Sequence, residues 1–344
     1  MTWAPLLLSD PSPCLRSLVL GELLHRPEDD PERKELDALR LNDPILVDLL
    51  QKQNPDGSWS RIGISDNAPG GALQTTSQAL SRLDYLGLGP DHVAVQRGAE
   101  FTFSLQNSDG SWPQAKDFKE KDEDWGYDRM PLQTAFPLRG LASCGYAQDP
   151  RSETAYEWLL AQRLEDGAWP TGIASGNYGY VAGYRKLAHS RWGCRSNTTG
   201  ALICLALHPE RRTGSAAQRA LDLLLGRETR EKQNVGFEVA RLIGIEPARG
   251  WTTYFARFDL ALMLDLCWRV GASLDDSRIR ELADFILGLQ GPYGLWEYER
   301  RPQASRWVTF DLLRSLSHLD ETGNWLSLEP WTPFQAYKRL DKRF

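Results

Sequence analysis

A seven-residue motif recurs along this chain and constrains its fold more than any other feature. Residues 53–59 (Gln-Asn-Pro-Asp-Gly-Ser-Trp) and 106–112 (Gln-Asn-Ser-Asp-Gly-Ser-Trp) are nearly identical, and 162–169 and 290–296 keep the Gln, a Gly and the Trp. The tryptophans are spaced by 53, 57 and 127 residues, so a degenerate copy is expected in the long interval, where Gly-Phe-Glu at 236–238 stands in for Gly-x-Trp. A regular period of this length predicts a repeat architecture.

Each repeat has the pattern of a helix pair. An amphipathic stretch precedes the motif, as at Leu282, Phe285, Ile286 and Leu289, which fall on one helical face. The Asp-Gly pair then ends the helix, because Gly accepts positive φ and Asp hydrogen-bonds the turned backbone. A second, more apolar helix follows, as at 201–207, and its start is predicted near hydroxyl residues that can act as N-caps. These hydroxyl residues are Thr75, Thr76, Thr134, Thr198, Thr199, Thr252, Thr253 and Thr309.

Helix pairs of about 55 residues, with one half-exposed and one buried member, predict an all-α fold, a single (α/α)6 barrel. An apolar helix at 12–25 supplies the sixth inner helix and closes the ring. The chain is therefore predicted to be one domain, 1–344, with a C-terminal tail at 321–344. The five repeats are placed roughly at 44–90, 91–150, 151–210, 215–276 and 277–320.

The composition of the chain limits which binding partners and which cellular compartment are expected. The chain of 344 residues carries 46 acidic and 40 basic side chains, a net charge of −6, and has no basic block, so nucleic acid is not an expected partner. No uncharged apolar stretch is long enough to span a membrane, and the N-terminus lacks a secretory pattern, so a cytoplasmic protein is predicted. For the basic pairs at 338–339 and 342–343, a solvated tail and a weak contact with a membrane surface both stay open.

The five cysteines are scattered and form no CxxC pair, which predicts small, buried and reduced side chains. The histidines form no pair at metal-ligand spacing. No cofactor and no metal ion are therefore predicted.

The repeats resemble the QW motif of squalene–hopene cyclases and related class II terpene cyclases, which share their barrel with the β-subunits of protein prenyltransferases. The resemblance covers nearly the whole chain, and the length allows one barrel where squalene–hopene cyclases pair two. It implies a structural role for the Gln and Trp of each copy, which join neighbouring repeats on the barrel exterior. These residues are Gln53, Trp59, Gln106, Trp112, Gln162, Trp169, Gln290 and Trp296.

The catalytic motifs of that family are incomplete in this chain. The cyclases use Asp-x-Asp-Asp-Thr-Ala at the start of an inner helix, whereas residues 130–135 keep only Thr-Ala. Asp122 and Asp124 form a partial Asp-x-Asp, but in the preceding loop. Asp265 and Cys267 match the Asp-x-Cys of zinc prenyltransferases, but they lie late in their helix. At that position we predict residues that only fill space in the inner helix or lie at its solvated end.

Three aspartates are candidate catalytic acids: Asp259, Asp311 and Asp124. The first two lie 12 residues before Gly271 and Gly323, so they are predicted to project from adjacent inner helices at comparable depth. A carboxylate inside an apolar barrel is costly unless it is paired or neutralised, which points to a function. The competing interpretation is helix capping, or pairing with the nearby arginines. These arginines are Arg257, Arg306 and Arg314.

Aromatic residues gather in loops and at inner-helix starts, where they could line an apolar cavity and stabilise a carbocation with their ring faces. Plain packing is the alternative. The candidate substrate-binding residues are Trp125, Tyr127, Tyr180, Trp192, Trp251, Tyr254, Phe255, Trp307 and Phe310.

Together these features predict a terpene cyclase-like enzyme that acts on an isoprenoid or another apolar small molecule, by acid-initiated cyclisation. The alternative is a non-catalytic barrel that binds a lipid or a protein partner. A zinc-dependent, prenyltransferase-like activity ranks below both.

Overall fold

The computed structural model describes residues 3–60, 71–113, 129–226, 234–248 and 253–319, and every structural statement below concerns these residues. The α-helices are α1 (Trp3–Leu8), α2 (Pro13–Leu18), α3 (Pro31–Leu39), α4 (Pro44–Gln51), α5 (Gly71–Tyr85), α6 (Val93–Ser104), α7 (Pro131–Leu141), α8 (Pro150–Ala161), α9 (Arg195–Leu207), α10 (Ser215–Leu225), α11 (Phe237–Leu242), α12 (Leu260–Val270), α13 (Ser277–Gly288) and α14 (Ser305–Leu319).

Short irregular elements extend or connect these helices. A π-helix continues α2 (Val19–Leu23) and another continues α7 (Ala142–Tyr146). A two-residue hairpin of β1 (Ile173–Ala174) and β2 (Asn177–Tyr178) lies between α8 and α9. Single turns of 3-10 helix occur at Arg40–Asn42, Gly183–Arg185 and Pro302–Ala304.

The four recognisable motif copies make the same contacts in the structure. Each Trp is at most 2% exposed. Its indole N–H donates to the carbonyl ten residues earlier, in the last turn of the preceding helix, at 2.7–2.8 Å. Its backbone N–H donates to a threonine hydroxyl on the following helix. These contacts fasten the two helices of each repeat to each other, and we call the four tryptophans, Trp59, Trp112, Trp169 and Trp296, the fasteners.

The motif also reaches the next repeat. Gln53 donates to the carbonyl of Ala94 at 2.8 Å, and Gln106 to that of Arg151 at 2.9 Å. The turn between helix and Trp needs glycine, because Gly110 has φ +89° and a Cβ there would lie 2.5 Å from the carbonyl oxygen of Thr154. The Asp-Gly turn thus brings the first two motif copies into close contact with the next repeat, whereas the side-chain amides of Gln162 and Gln290 donate to carbonyls of their own repeats.

The threonines have a different role from the predicted one. Helices α5, α7, α9 and α14 begin several residues before Thr76, Thr134, Thr198 and Thr309, so these residues lie inside their helices. Their hydroxyls accept the fastener backbone N–H, a contact between the two helices of one repeat that local spacing cannot distinguish from an N-cap.

Six inner helices form a ring. Helices α5, α7, α9, α12 and α14 contact one another in that order, and α14 contacts the π-helix that continues α2. Arg40 closes the ring, since its guanidinium donates to the Ser17 hydroxyl of α2 and to the Gly87 carbonyl just after α5. Helices α6, α8, α10 and α13 pack outside the ring against their inner partners. The predicted all-α barrel is confirmed.

The predicted degenerate motif at 236–238 is wrong. These residues start α11, which contacts α5, α12 and α14, while Glu238 pairs with Arg139 of α7 at 2.7 Å. A helix in contact with four of the six inner helices lies inside the ring. Each fastener lies eight residues after the end of the preceding helix. The same offset from the end of α10 would place the missing aromatic at 233, which is a Gln outside the described residues.

The remaining fold predictions have mixed outcomes. All five cysteines are buried and unpaired, as predicted. No described helix is both long and apolar enough to cross a membrane. The tail at 321–344 lies outside the described residues, and the division of the chain into one domain with five repeats stays a prediction.

Candidate functional site

A cavity of about 460 Å³ lies inside the ring, at the end where the inner helices terminate. We call it the ring cavity. Part of its lining is aliphatic: Ile203 and Leu207 of α9, Leu262 and Leu266 of α12, and Leu242 of α11. These five residues are the apolar wall.

The rest of the lining is unusually rich in charge. Helix α9 and the π-helix after α2 are three positions apart in the six-membered ring, so the apolar wall of α9 faces a charged side. We call that side the charged wall. It consists of Glu22, Asp84, Asp265, Arg269, Asp311 and Arg314.

Arg314 organises most of the charged wall. Its guanidinium makes a close ion pair with Asp311, one turn earlier on α14, and lies 3.5 Å from carboxylate oxygens of Asp265 and Glu22. Arg269 pairs with Asp265 at 2.8 Å. Burial opposes ionisation of Asp265, but these two arginines lower its pKa below the ordinary value. Burial raises the pKa of Asp311 to about 7, with Arg314 acting in the opposite direction.

Asp84 differs from the other acidic residues of this wall. It is an exposed residue in the lining of the ring cavity. Among the described residues, no donor lies within hydrogen-bonding distance of its carboxylate. Burial raises the pKa of Asp84 to about 7, although Arg269 and Arg314 are near enough to favour the charged form.

A buried polar network lies on α11, at the floor of the cavity. Glu238 accepts from Arg139 at 2.7 Å and from Arg241 at 3.4 Å, and Tyr254 donates its hydroxyl proton to Gln78 at 2.9 Å. The Arg139 Nη1 and Gln78 Nε2 groups are buried without a partner. Such groups are costly, so this network favours one arrangement of α11 at the expense of stability.

The structure separates the two aspartates that sequence spacing placed at comparable depth. Asp259 is the N-cap of α12, and its carboxylate accepts from the backbone N–H groups of Gly236, Glu238 and Ala261 at 2.6–3.2 Å. It therefore caps α11 as well as α12. Burial raises the pKa of Asp259 to about 6, against the effect of these backbone donors.

Asp311 lies deeper in its helix, seven residues from the start of α14, and lines the ring cavity. Its counterpart on α12 is Asp265, because both carboxylates contact Arg314. The prediction that position 265 is filler or a solvated end is therefore wrong. Counting back from the next glycine failed because α12 begins directly after Asp259, whereas α14 begins six residues before Asp311.

Of the predicted pairings, the structure shows one. Asp311 pairs with Arg314, whereas Arg306 pairs with Asp10 at 3.3 Å. Arg257 lies over the Phe237 ring.

The predicted aromatic residues do not form one cluster. Tyr180 is 69% exposed, and Trp192 packs on Tyr178 of the hairpin at 5.9 Å, away from the ring cavity. Tyr254 and Phe255 are buried within the ring, with centroids 4.7 Å apart.

Two more of these aromatics lie on α14. Trp307 packs on Tyr85 at 5.8 Å, and Phe310 is fully buried beneath Arg314. None of the six described candidates lines the ring cavity. The other predicted site residues, Asp124, Trp125, Tyr127 and Trp251, lie outside the described residues.

Sequence reasoning missed Asp84 and Glu238. Asp84 stands alone in the last turn of α5, and Glu238 lay in a segment interpreted as an eroded motif. One signal in the sequence pointed to Asp84, which lies three residues before Gly87, at the end of an otherwise buried helix. A carboxylate near a helix C-terminus is electrostatically unfavourable, so its presence there suggests a function.

A second, larger cleft of about 1010 Å³ lies at the opposite end of the ring, near the starts of α9 and α12. Its lining includes Trp296, Arg257 and Arg300, and the described residues beside it border segments that are not described. Nowhere in the described part of the chain could three or more His, Cys, Asp or Glu side chains hold a metal ion.

Comparison with known proteins supports the resemblance predicted from the repeats. Residues 37–184 match the family described as the squalene-hopene cyclase C-terminal domain, and this segment holds the first three motif copies. A squalene–hopene cyclase of Zymomonas mobilis is 33% identical over 147 residues, which is 40% of this chain and 21% of that protein. One from Bradyrhizobium diazoefficiens is 28% identical over 130 residues, 35% of this chain and 18% of that protein.

The chain is thus similar to the terpene cyclase-like family, and it spans about a fifth of the length of these relatives. Among solved structures, the type II terpene cyclase MstE from Scytonema aligns with 81% of this chain and 97% of its own, at 13% identity and a TM-score of 0.33. A variant of that enzyme in complex with geranylgeranyl dihydroxybenzoate as substrate gives 15% identity, 82% and 97% coverage and the same TM-score. Alignments this loose support no statement about the site.

Proposed function

We propose that this protein is a terpene cyclase-like enzyme that protonates a carbon–carbon double bond of an apolar isoprenoid in the ring cavity. The similarity of residues 37–184 to squalene–hopene cyclases supports the class of reaction. The observation that carries the proposal is the two-sided lining of the cavity. A hydrocarbon can lie on the apolar wall while carboxyl groups of the charged wall face it.

Protonation of an alkene needs a carboxylic acid that keeps its proton near neutral pH and lies in a site of low polarity. Burial raises the pKa of Asp311 and of Asp84 to about 7. The carboxylate of Asp265, whose pKa Arg269 and Arg314 lower, would then stabilise the carbocation that forms. Asp259 is a poorer donor, because backbone N–H groups already occupy both of its oxygens.

The test is incubation of the purified protein with squalene and with geranylgeraniol, followed by gas chromatography with mass detection. An isomer of unchanged mass supports the proposal, and unchanged substrate under all conditions contradicts it. Leu262→Phe, on the apolar wall, fills the cavity and should lower conversion at least tenfold. Leu287→Phe is the matched control on α13, because Leu287 is 47% exposed, and it should convert at the wild-type rate.

A non-catalytic barrel is the second candidate, favoured by the position of α11. This helix occupies the ring centre, and the chain lacks the Asp-x-Asp-Asp motif. Such a protein would bind an apolar ligand and release it unchanged. Gas chromatography of the ligand extracted from the protein after incubation separates the two candidates, because an enzyme accumulates the product isomer, with a different retention time, whereas a carrier retains its original ligand.

A further inference from the structure

We infer that Asp84 is the proton donor of the proposed reaction, and that Asp311 and Asp265, which are paired with arginines, stabilise the cation. The inference rests on the proposed function and specifies which side chain of the charged wall touches the reacting carbon. It assigns a catalytic role to a residue that belongs to no repeat motif.

The pairing of the carboxylates distinguishes donor from stabilisers. Asp311 is ion-paired with Arg314, while Asp265 is held by both Arg314 and Arg269. An arginine at ion-pair distance opposes protonation of a carboxylate, so a paired carboxyl group carries a proton less readily than an unpaired one in the same cavity. Asp84 has no hydrogen-bond donor or ion-pair partner among the described residues, so its neutral form loses no such contact.

The position of Asp84 also favours the protonated form. The residue lies in the last turn of α5, where the partial negative charge of the helix C-terminus disfavours a second negative charge. Burial has the larger effect and raises the pKa of this carboxyl to about 7. The side chain is nevertheless exposed to the cavity, so a ligand can reach it.

The neighbours of Asp84 place the stabilising charge on the same wall. Tyr85, the next residue, donates its hydroxyl proton to Asp311 at 3.4 Å and packs on Trp307. The charged wall carries four carboxyl groups and two arginines. Release of the proton from Asp84 therefore makes this wall more negative by one charge, which favours a carbocation beside it.

The proton transfer balances without any other reactant. The O–H bond of the Asp84 carboxyl breaks as the alkene π electrons form a new C–H bond, leaving a carboxylate and a tertiary carbocation. Attack by a second double bond of the same molecule forms a ring, and loss of a neighbouring proton to the Asp84 carboxylate restores the acid. The product is an isomer of the substrate.

The first test compares variants with squalene and geranylgeraniol as probes, in deuterated buffer. Asp84→Asn should lower kcat by about 100-fold or more, the scale of general acid catalysis, with KM changed less than threefold. Asp84→Glu should recover part of kcat, and deuterium should enter the wild-type product at one carbon. Asp284→Asn, an exposed carboxylate on α13, is the control and should match the wild type.

The outcomes separate the two proposals. If the wild type makes a deuterated isomer and Asp84→Asn makes it at the same rate, the donor is a different group and only this inference fails. If the wild type converts neither probe, the proposed function fails and the inference with it.

A second measurement needs no substrate. The infrared band of protonated carboxyl groups should disappear between pH 6 and 8 in the wild type, and the loss should be smaller by one group in Asp84→Asn. An identical titration in both proteins would overturn the inference. A variant that fails to fold is recognised by its circular dichroism spectrum, and Asp84→Glu then takes its place.

Discussion

The fasteners make the same contacts in four repeats, whereas the residues in the interior of the ring differ from helix to helix. Each fastener buries an indole, gives its N–H groups a backbone or hydroxyl partner, and does so in the same way in four repeats. The interior carries charged groups that differ from helix to helix: Asp84 on α5, Arg139 on α7, Glu238 on α11. The repeated positions therefore specify the ring, while the chemistry depends on positions that no two repeats share.

The two regions also differ in energy. A fastener adds buried apolar area and satisfied hydrogen bonds, both of which stabilise the fold. The interior buries ion pairs whose desolvation offsets their attraction, and it leaves polar atoms such as Arg139 Nη1 without a partner. A structure that keeps such groups in a cavity does so at a cost to stability, as functional sites commonly do.

The largest effect is expected at a fastener. Trp169→Ala should lower the free energy of unfolding by about 3–5 kcal/mol, because it leaves a cavity and removes the indole hydrogen bond to the Leu159 carbonyl. Urea denaturation measures it. Tyr180→Ala, at a 69% exposed position, is the control and should stay within about 0.5 kcal/mol of the wild type. Equal effects at both positions would contradict the structural role of the motif.

The buried ion pair of the interior comes next. Glu238→Gln leaves the charges of Arg139 and Arg241 uncompensated and should cost about 3 kcal/mol in urea denaturation. Adding Arg139→Met removes one of these charges, so the double variant should be more stable than Glu238→Gln alone. If the double variant is less stable than Glu238→Gln, the Glu238–Arg139 ion pair does not lower the stability of the fold.

Helix capping by Asp259 should have a smaller effect. Asp259→Ala removes the cap of both α11 and α12, and a lost cap costs about 1 kcal/mol per helix. Asp30→Ala, which removes the cap of α3 alone, is the matched control. Thermal unfolding of the two variants should therefore differ, and equal losses would mean that Asp259 does not hold α11.

The smallest effect is a pH dependence of stability from Asp84. Its pKa is raised by burial from 3.8 to about 7, so its contribution to stability is full below pH 3.8 and is lost as the pH rises through 7. Asp84→Asn does not titrate and should gain Tm relative to the wild type between pH 5 and pH 8. Asp284→Asn should show no such gain, and a gain in both variants would contradict the interpretation.

The fasteners could be predicted from the sequence to a greater extent than the interior of the ring. The motif copies predicted a helical ring and its fasteners, because their hydrogen bonds depend on fixed offsets such as the ten residues from Leu49 to Trp59. The site could be predicted only in part. Asp311 does line the cavity, but Asp259 caps helices, and the two looked alike because each lies between Phe and Leu.

The rest depended on contacts between distant segments. Neither Asp84 nor Glu238 stands out from its neighbours in its own helix. Both line the cavity only because α11 lies inside the ring. No local pattern signals that insertion, because α11 is six residues long and is held by Asp259 from the following helix and by Arg139 from α7.

The most direct test of the proposed active site is a crystal structure of the protein soaked with geranylgeraniol. We expect the hydrocarbon chain to lie along Ile203, Leu262 and Leu266, with a double bond about 3.5 Å from the Asp84 carboxyl group, within reach of proton transfer. A chain bound in the opposite cleft beside Trp296, with the ring cavity unoccupied, would contradict the assignment of the site.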